Sequence, residues 1–212
     1  LTHLRTLLRQ ALPAPAAVVA GPEEIGLDGA RVWSDVRAFS SSLSVADPTR
    51  RLTALRQAVE LWRGPFLDGF DSAGSDAFEE WVGQQRAWWG QRYLDTLTRL
   101  IDAETASGAR LAAIELARRY LVVDDLAEEI HRRLMRLHAA AGDRAAALRQ
   151  FTECRQALER ELGIQPSAAT RALRDEIVAG RSPVGTRPRP SVPAGGPERV
   201  LSRPPAPVDS LI

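Results

Sequence analysis

The sequence predicts a mainly α-helical protein, an array of paired helices preceded by a short helix and a β-hairpin. Three observations carry this. Apolar residues recur at helical spacing through most of residues 35–180. Glycine stands just past the expected end of successive helices, at Gly108, Gly142, Gly163 and Gly180, where a left-handed cap needs it. A segment of the chain also repeats after 34 residues. Strand signals are confined to residues 17–33.

The elements follow in order. Residues 1–12 put Leu1, Leu4, Leu8 and Leu12 on one helical face and Thr2, Arg5, Thr6 and Arg9 largely on another, and Pro13 and Pro15 stop the helix. Two β-prone runs, residues 17–20 and 25–27, flank Gly21-Pro22 turn chemistry, with Val32-Trp33 beyond Gly29. Asp47-Pro48 is an N-cap with proline at the first helical position, and it starts a helix to about residue 62 with Leu52, Leu55, Val59 and Trp62 on one face. A loop rich in glycine and aromatics, RGPFLDGFDSAGS, covers residues 63–75. Asp76 and Glu79 read as a capping box into a helix through about residue 107. Shorter helices are expected at 110–122, 126–141, 144–161 and 167–179. Residues 181–212 are rich in Pro, Gly, Ser and Arg, with few apolar anchors, which predicts a disordered linker with polyproline II character.

Residues 106–117, ASGARLAAIELA, align with residues 140–151, AAGDRAAALRQF. The alignment pairs Gly108 with Gly142, Arg110 with Arg144, Ala112 and Ala113 with Ala146 and Ala147, and Ile114 with Leu148. A period of 34 is that of tetratricopeptide repeats. The glycine ends the first helix of each pair, and the small alanines let the second helix approach closely. One pair alone cannot bury its apolar face, so successive pairs stack. Ala127, Ile130, Leu134 and Leu137 supply a further core face. The second repeat carries an insertion before Ile164-Gln165-Pro166, making the array irregular.

Composition narrows the function. The 212 residues carry 28 basic and 27 acidic side chains, a formal charge of +1, which argues against a uniformly basic nucleic-acid binder. Every basic residue is Arg, and neither Lys nor Asn occurs, which reads as GC-rich codon usage. The distribution is more informative. Residues 1–12 hold two Arg and no acid, whereas residues 13–180 hold 21 Arg against 25 acids. An acidic body between basic ends assigns any nucleic-acid contact to the N-terminal segment. A single cysteine, Cys154, excludes internal disulfides and multi-cysteine zinc sites and suits a cytoplasmic protein. No apolar run reaches the roughly 18 residues of a membrane span.

No catalytic constellation emerges. Neither a phosphate-binding GxxxxGK[ST] loop nor GxGxxG is present. His131 and His138 lie seven apart on one helix, without HExxH spacing, and read as ordinary surface or interface histidines rather than metal ligands. The carboxylate pairs Glu79-Glu80, Asp124-Asp125 and Glu128-Glu129 fall mostly at helix N-termini, where the helix dipole favours them. Cys154, between Phe151 and Leu158, reads as a buried structural thiol. Trp62, Trp81, Trp88 and Trp89 flank the glycine-rich loop and serve to pack it down. The chain is therefore expected to be a non-enzyme with no cofactor and no metal.

Three phrases carry a family resemblance: WRGPFLDGF followed by FEEWVGQQR, then EEIHRRLMRLHAAAGDRAAALRQF, then LGIQPSAATRAL. Together, over roughly residues 33–179, they resemble the bacterial transcriptional activator domain of the Streptomyces antibiotic regulatory protein family and its larger AfsR-like relatives. The resemblance implies that residues 1–33 are the C-terminal part of an OmpR-like winged helix, truncated here. Residues 1–12 would then end the recognition helix and residues 17–32 form the wing. Residues 34–180 would be the tetratricopeptide-like domain and residues 181–212 a linker to a further domain. It also implies promoter DNA as a partner, with Thr2, Arg5 and Arg9 facing the major groove or its phosphates. RNA polymerase or other regulator subunits would meet the helical repeats, a homodimer could form through them, and no membrane would be involved. The residues alone leave two other readings open: a generic tetratricopeptide scaffold without a DNA role, and the regulatory segment of a larger signalling NTPase or cyclase.

Overall fold

The computed structural model describes Thr6 and residues 18–20, 25–70 and 76–181. Thr2, Arg5 and Arg9, and the expected linker from residue 182 onward, lie outside the described residues. Among the described residues the chain forms two strands and seven helices, in two compact units that divide between Trp62 and Arg63. The fold is mainly α, a helical-repeat body following a small β-hairpin.

In the first unit, β1 (Val18–Ala20) pairs antiparallel with β2 (Ile25–Leu27), with Val18 opposite Leu27 and Val19 opposite Gly26. Val18 is buried and Val19 exposed, the alternation of a strand with one covered face. Asp28 then closes a turn: its carbonyl accepts from the N–H groups of Arg31 and Val32, and its carboxylate accepts from Ala30 N–H. Val32 and Trp33 are consequently outside any strand, and Trp33 is 71% exposed. The Ser34 side chain caps α1 (Asp35–Leu43) by accepting from Arg37 N–H at 3.2 Å. α1 packs against α2 (Pro48–Leu61), with Phe39, Ala54, Leu55, Ala58 and Val59 buried.

The second unit contains α3 (Asp76–Ser107), α4 (Arg110–Val123), α5 (Glu128–Ala140), α6 (Arg144–Leu162) and α7 (Ala168–Val178). Each packs on the next, and α7 also reaches back to α5. Two core clusters result. Ile101, Ala113, Ile114, Ala117, Ile130, Leu134 and Leu137 join α3, α4 and α5, whereas Met135, Ala147, Phe151, Leu173 and Ile177 join α5, α6 and α7. α5 contributes to both and so welds one helical pair to the next.

The 34-residue period is visible in the backbone itself. Gly108 and Gly142 both have φ of 80°, in the left-handed region. After α3, Ala109 N–H donates to Glu104 O and Gly108 N–H to Thr105 O; after α5, Asp143 N–H donates to His138 O and Gly142 N–H to Ala139 O. The second set is the first moved by 34 residues. Ala113 and Ala147, also 34 apart, are both completely buried, as close helix approach requires. A Cβ at Gly142 would touch nothing, so its replacement by alanine is costly only through backbone conformation. Gly142→Ala is expected to lower stability by about 1 kcal/mol, with Gly142→Asn milder because Asn tolerates this conformation; urea denaturation of the three proteins checks the order. The expected insertion appears as length: α6 has 19 residues against 14 in α4.

Candidate functional site

Two constructions hold the distinctive segments of the helical body in place. The first begins at residue 63. Phe66 meets Trp81 edge-on with centroids 5.8 Å apart, Phe70 meets Phe78 at 6.1 Å, and Phe78 meets Trp81 at 5.7 Å. The Arg86 guanidinium donates to the carbonyls of Phe66 and Leu67, both at 2.9 Å. One charged fork on α3 thereby satisfies two loop carbonyls and fixes the loop's path. Leu67 adopts φ of 50°, rare for a residue with a Cβ, and stays 39% exposed beside Phe70 at 52%. Trp81 thus packs the loop down as expected. Trp88 and Trp89 instead meet edge-on, with centroids 4.3 Å apart and planes at 88°, and the Arg92 guanidinium lies 4.2 Å over Trp88. Burial, with Arg99 nearby, lowers the Arg92 pKa against the opposing pull of Asp95.

The second construction joins α5 to the start of α7. The Glu128 carboxylate accepts from Ser167 N–H at 3.0 Å, from Ser167 Oγ at 2.7 Å and from Thr170 Oγ1 at 2.5 Å. Ser167 also caps α7 by accepting from Thr170 N–H. Arg132, one turn along α5, donates to Thr170 Oγ1 at 3.0 Å and to Glu129 Oε2 at 2.6 Å. Arg133 continues the network to Asp102 on α3 at 2.6 Å. Burial alone would raise the Glu128 pKa; the bonds from Thr170 and Ser167 and the charge of Arg132 outweigh it and hold the carboxyl below its ordinary value. At the far end of α7, Arg144 donates to the Val178 carbonyl. The carboxylates at the start of α5 are therefore structural acceptors, as their helix-terminal position implied.

Both helical histidines, expected at the surface or at an interface, are buried within the helical body: His131 is 3% exposed and His138 8%. The reason is that α5 is covered by α4, α6 and α7, and only Glu129, Arg136 and Ala140 along it are exposed. His131 bonds through Nε2 to the Asp125 carbonyl at 2.9 Å and through Nδ1 to the Gln150 amide at 2.7 Å. With the proton on Nε2, the ring donates to the carbonyl and accepts from the amide, satisfying both nitrogens. Cys154 is 1% exposed, and burial together with Glu128 pushes its thiol up to about 11, leaving it protonated and inert. Among the described residues, no three His, Cys, Asp or Glu side chains are grouped to hold a metal ion. None of their helices is long and apolar enough to cross a membrane. A cleft of about 340 Å³ opens between α4, the end of α5 and α6, lined among others by Arg118, Val122, His138 and Arg149.

Three comparisons place this architecture. The family described as bacterial transcriptional activator domain matches residues 27–178. The transcriptional regulator RedD of Streptomyces coelicolor is 32% identical over 143 residues, which are 66% of this chain and 38% of RedD. The regulatory protein AfsR of the same organism is 26% identical over 160 residues, 76% of this chain and 15% of AfsR. Among solved structures, Mycobacterium tuberculosis EmbR in complex with a low-affinity phosphopeptide aligns over 84% of this chain and 48% of its own, with a TM-score of 0.53 and 22% identity, a likeness of fold. The chain thus spans well under half the length of the curated relatives it matches.

Proposed function

This chain belongs to the bacterial transcriptional activator domain family, and on that premise we propose that it is the helical-repeat part of a DNA-binding transcriptional activator. The observation that carries the reading is the extent of the match, which runs from β2 to the last residue of α7 and so covers the whole helical body. The body's excess of acidic residues is poorly suited to lie along DNA, and supports a division of labour. In this reading residues 1–33 belong to a winged-helix reader, with Thr2, Arg5 and Arg9 at the groove or its phosphates. The repeats of residues 34–180 meet RNA polymerase, another regulator subunit or a second copy, and residues 181–212 are a linker to a further domain. The protein acts in the cytoplasm, without membrane, cofactor or catalysis of its own.

The test uses the protein that carries this chain, bound to promoter DNA over a salt series. Arg5→Ala with Arg9→Ala is expected to weaken binding and to lower the slope of log affinity against log salt by about 1.8, about 0.9 for each phosphate no longer neutralised. A slope unchanged by the double substitution removes these residues from the interface. Transcription from that promoter with purified RNA polymerase is expected to rise on adding the protein. Occupancy of the promoter without such a rise overturns the activator reading.

A further inference from the structure

The cleft between α4, the end of α5 and α6 has the composition of a ligand site, and nothing in the proposed transcriptional role calls for one. His138 lines it. The side chain is 8% exposed, and among the described residues no hydrogen bond engages its ring, in contrast to His131 seven residues earlier, whose two nitrogens are both bonded. The His138 ring nitrogens are not among the buried unbonded atoms of the described residues, so they open onto the cleft, where a ligand can reach them. Two guanidiniums, Arg118 from α4 and Arg149 from α6, line the same cleft, and among the described residues neither has an ion-pair or hydrogen-bond partner. The arginines on the opposite side of α5 differ sharply, since Arg132 and Arg133 are both tied to carboxylates.

The charges facing the ring come from every element around it: Arg118 on α4, Arg149 and Glu153 on α6, and Asp143 at the start of α6, whose carboxylate already caps that helix by accepting from Ala146 N–H. In the cleft itself the two arginines and Glu153 leave one net positive charge. The remaining wall is Leu121, Val122 and Ala146 with the Gln150 amide, and Val122 is 87% exposed. A volume of about 340 Å³ lies at the lower end of the range of small-molecule sites.

We propose that this cleft binds a small monocarboxylate with a short apolar chain. The carboxylate sits between Arg118 and Arg149 and accepts the His138 ring N–H, and the chain lies along Leu121 and Val122. One negative charge matches the one unbalanced positive charge. Burial and Arg118 lower the His138 pKa, so the ring is neutral at neutral pH and offers one N–H and no further cation. A bound carboxylate opposes that depression. Every residue of the site lies in the helical body, so it stands apart from the DNA-binding reading.

Hexanoate is the probe, titrated into the 212-residue chain while the histidine ring nitrogens are followed by NMR. Saturable shifts are expected at His138 and none at His131, whose nitrogens are occupied. Arg118→Ala with Arg149→Ala, both at exposed positions, is expected to weaken hexanoate at least about tenfold, the size of one charge-assisted hydrogen bond. Glu153→Gln removes the opposing charge and is expected to tighten it, a gain that a misfolded variant could not show. Hexanamide is expected to leave His138 unmoved. Three results overturn the proposal: no saturation at His138, equal binding by the double variant, or inorganic phosphate binding as tightly as hexanoate, which would make the cleft a reader of charge alone.

Discussion

Leu134→Ala is expected to lower the stability of the helical body by about 3 kcal/mol, within the 2–5 kcal/mol span of buried leucine truncations. Leu134 is completely buried on α5, in the cluster formed with Ile101, Ala113, Ile114 and Ala117. Its counterpart one period earlier, Leu100 on α3, is equally buried. The loss has two parts: transfer of the side chain from water, and the cavity left when rigid helices cannot close around an alanine. The position matters beyond its volume, because Met135 next to it belongs to the second cluster. Truncation on α5 therefore weakens the coupling between helical pairs as well as the packing within one. Urea denaturation reads the effect as a lower midpoint. Leu111→Ala is the control, since that leucine is 84% exposed on α4 and is expected to change stability by less than about 0.5 kcal/mol. Equal effects of the two substitutions would mean that the repeats do not share a core.

Much of this architecture is legible in the chain because its signals are local or periodic. A glycine with positive φ ends a helix for reasons contained in a few residues, and Gly108, Gly142, Gly163 and Gly180 all adopt that conformation. Residues 34 apart share an environment, so Ala113 and Ala147 betray the same close approach through their spacing alone. The helix ends of the body accordingly fall within two residues of expectation, α5 running from Glu128 to Ala140 where the spacing predicts 126–141. In the first unit β1, β2 and α2 also fall within one residue of expectation, and only the extent of α1 is not announced. α1 is nine residues long and starts on a serine cap, with no long periodic face to announce its limits.

The polar constructions are not legible as such. The segments EEIHRRL and LGIQPSAATRAL stand out in the sequence as separate phrases. In the structure they meet, because Glu128 binds Ser167 and Thr170 about forty residues away. No periodicity links a carboxylate to a serine at that distance; only the packing of α7 against α5 does. The same holds for RGPFLDGF and FEEWVGQQR, joined by the Phe66–Trp81 contact and by Arg86. The burial of His131 and His138 is hidden for a related reason. A helix covered on several faces has no simple polar stripe, and histidine is intermediate in its preference for the interior. The cleft beside His138 depends on three helices at once, which spacing along one of them cannot report.

The junction at Glu128 supplies the second large effect. Glu128→Ala removes the acceptor of two hydroxyls and one N–H, and leaves the completely buried Thr170 with fewer partners. The expected cost is about 2–3 kcal/mol, the range for losing hydrogen bonds to a charged group, and it should fall on α7 first. Hydrogen exchange would show it: amides of α7 are expected to exchange about 30-fold faster or more, from the tenfold change per 1.4 kcal/mol, while those of α3 and α4 keep their protection. Uniform acceleration through all five helices would contradict a local junction. The direction in pH follows from the depressed pKa of Glu128. A carboxyl whose folded pKa lies below its unfolded value stabilises fully above the unfolded value, and that stability is lost as pH falls through the folded one. Glu129, held low by Arg132 and Arg133 against its own burial, adds in the same sense. Glu128→Gln keeps the shape but cannot titrate. Its stability as pH falls below the ordinary glutamate value of 4.5 is therefore expected to drop less steeply than that of the unsubstituted protein, and parallel slopes would show that the α5–α7 junction does not depend on the charge of Glu128.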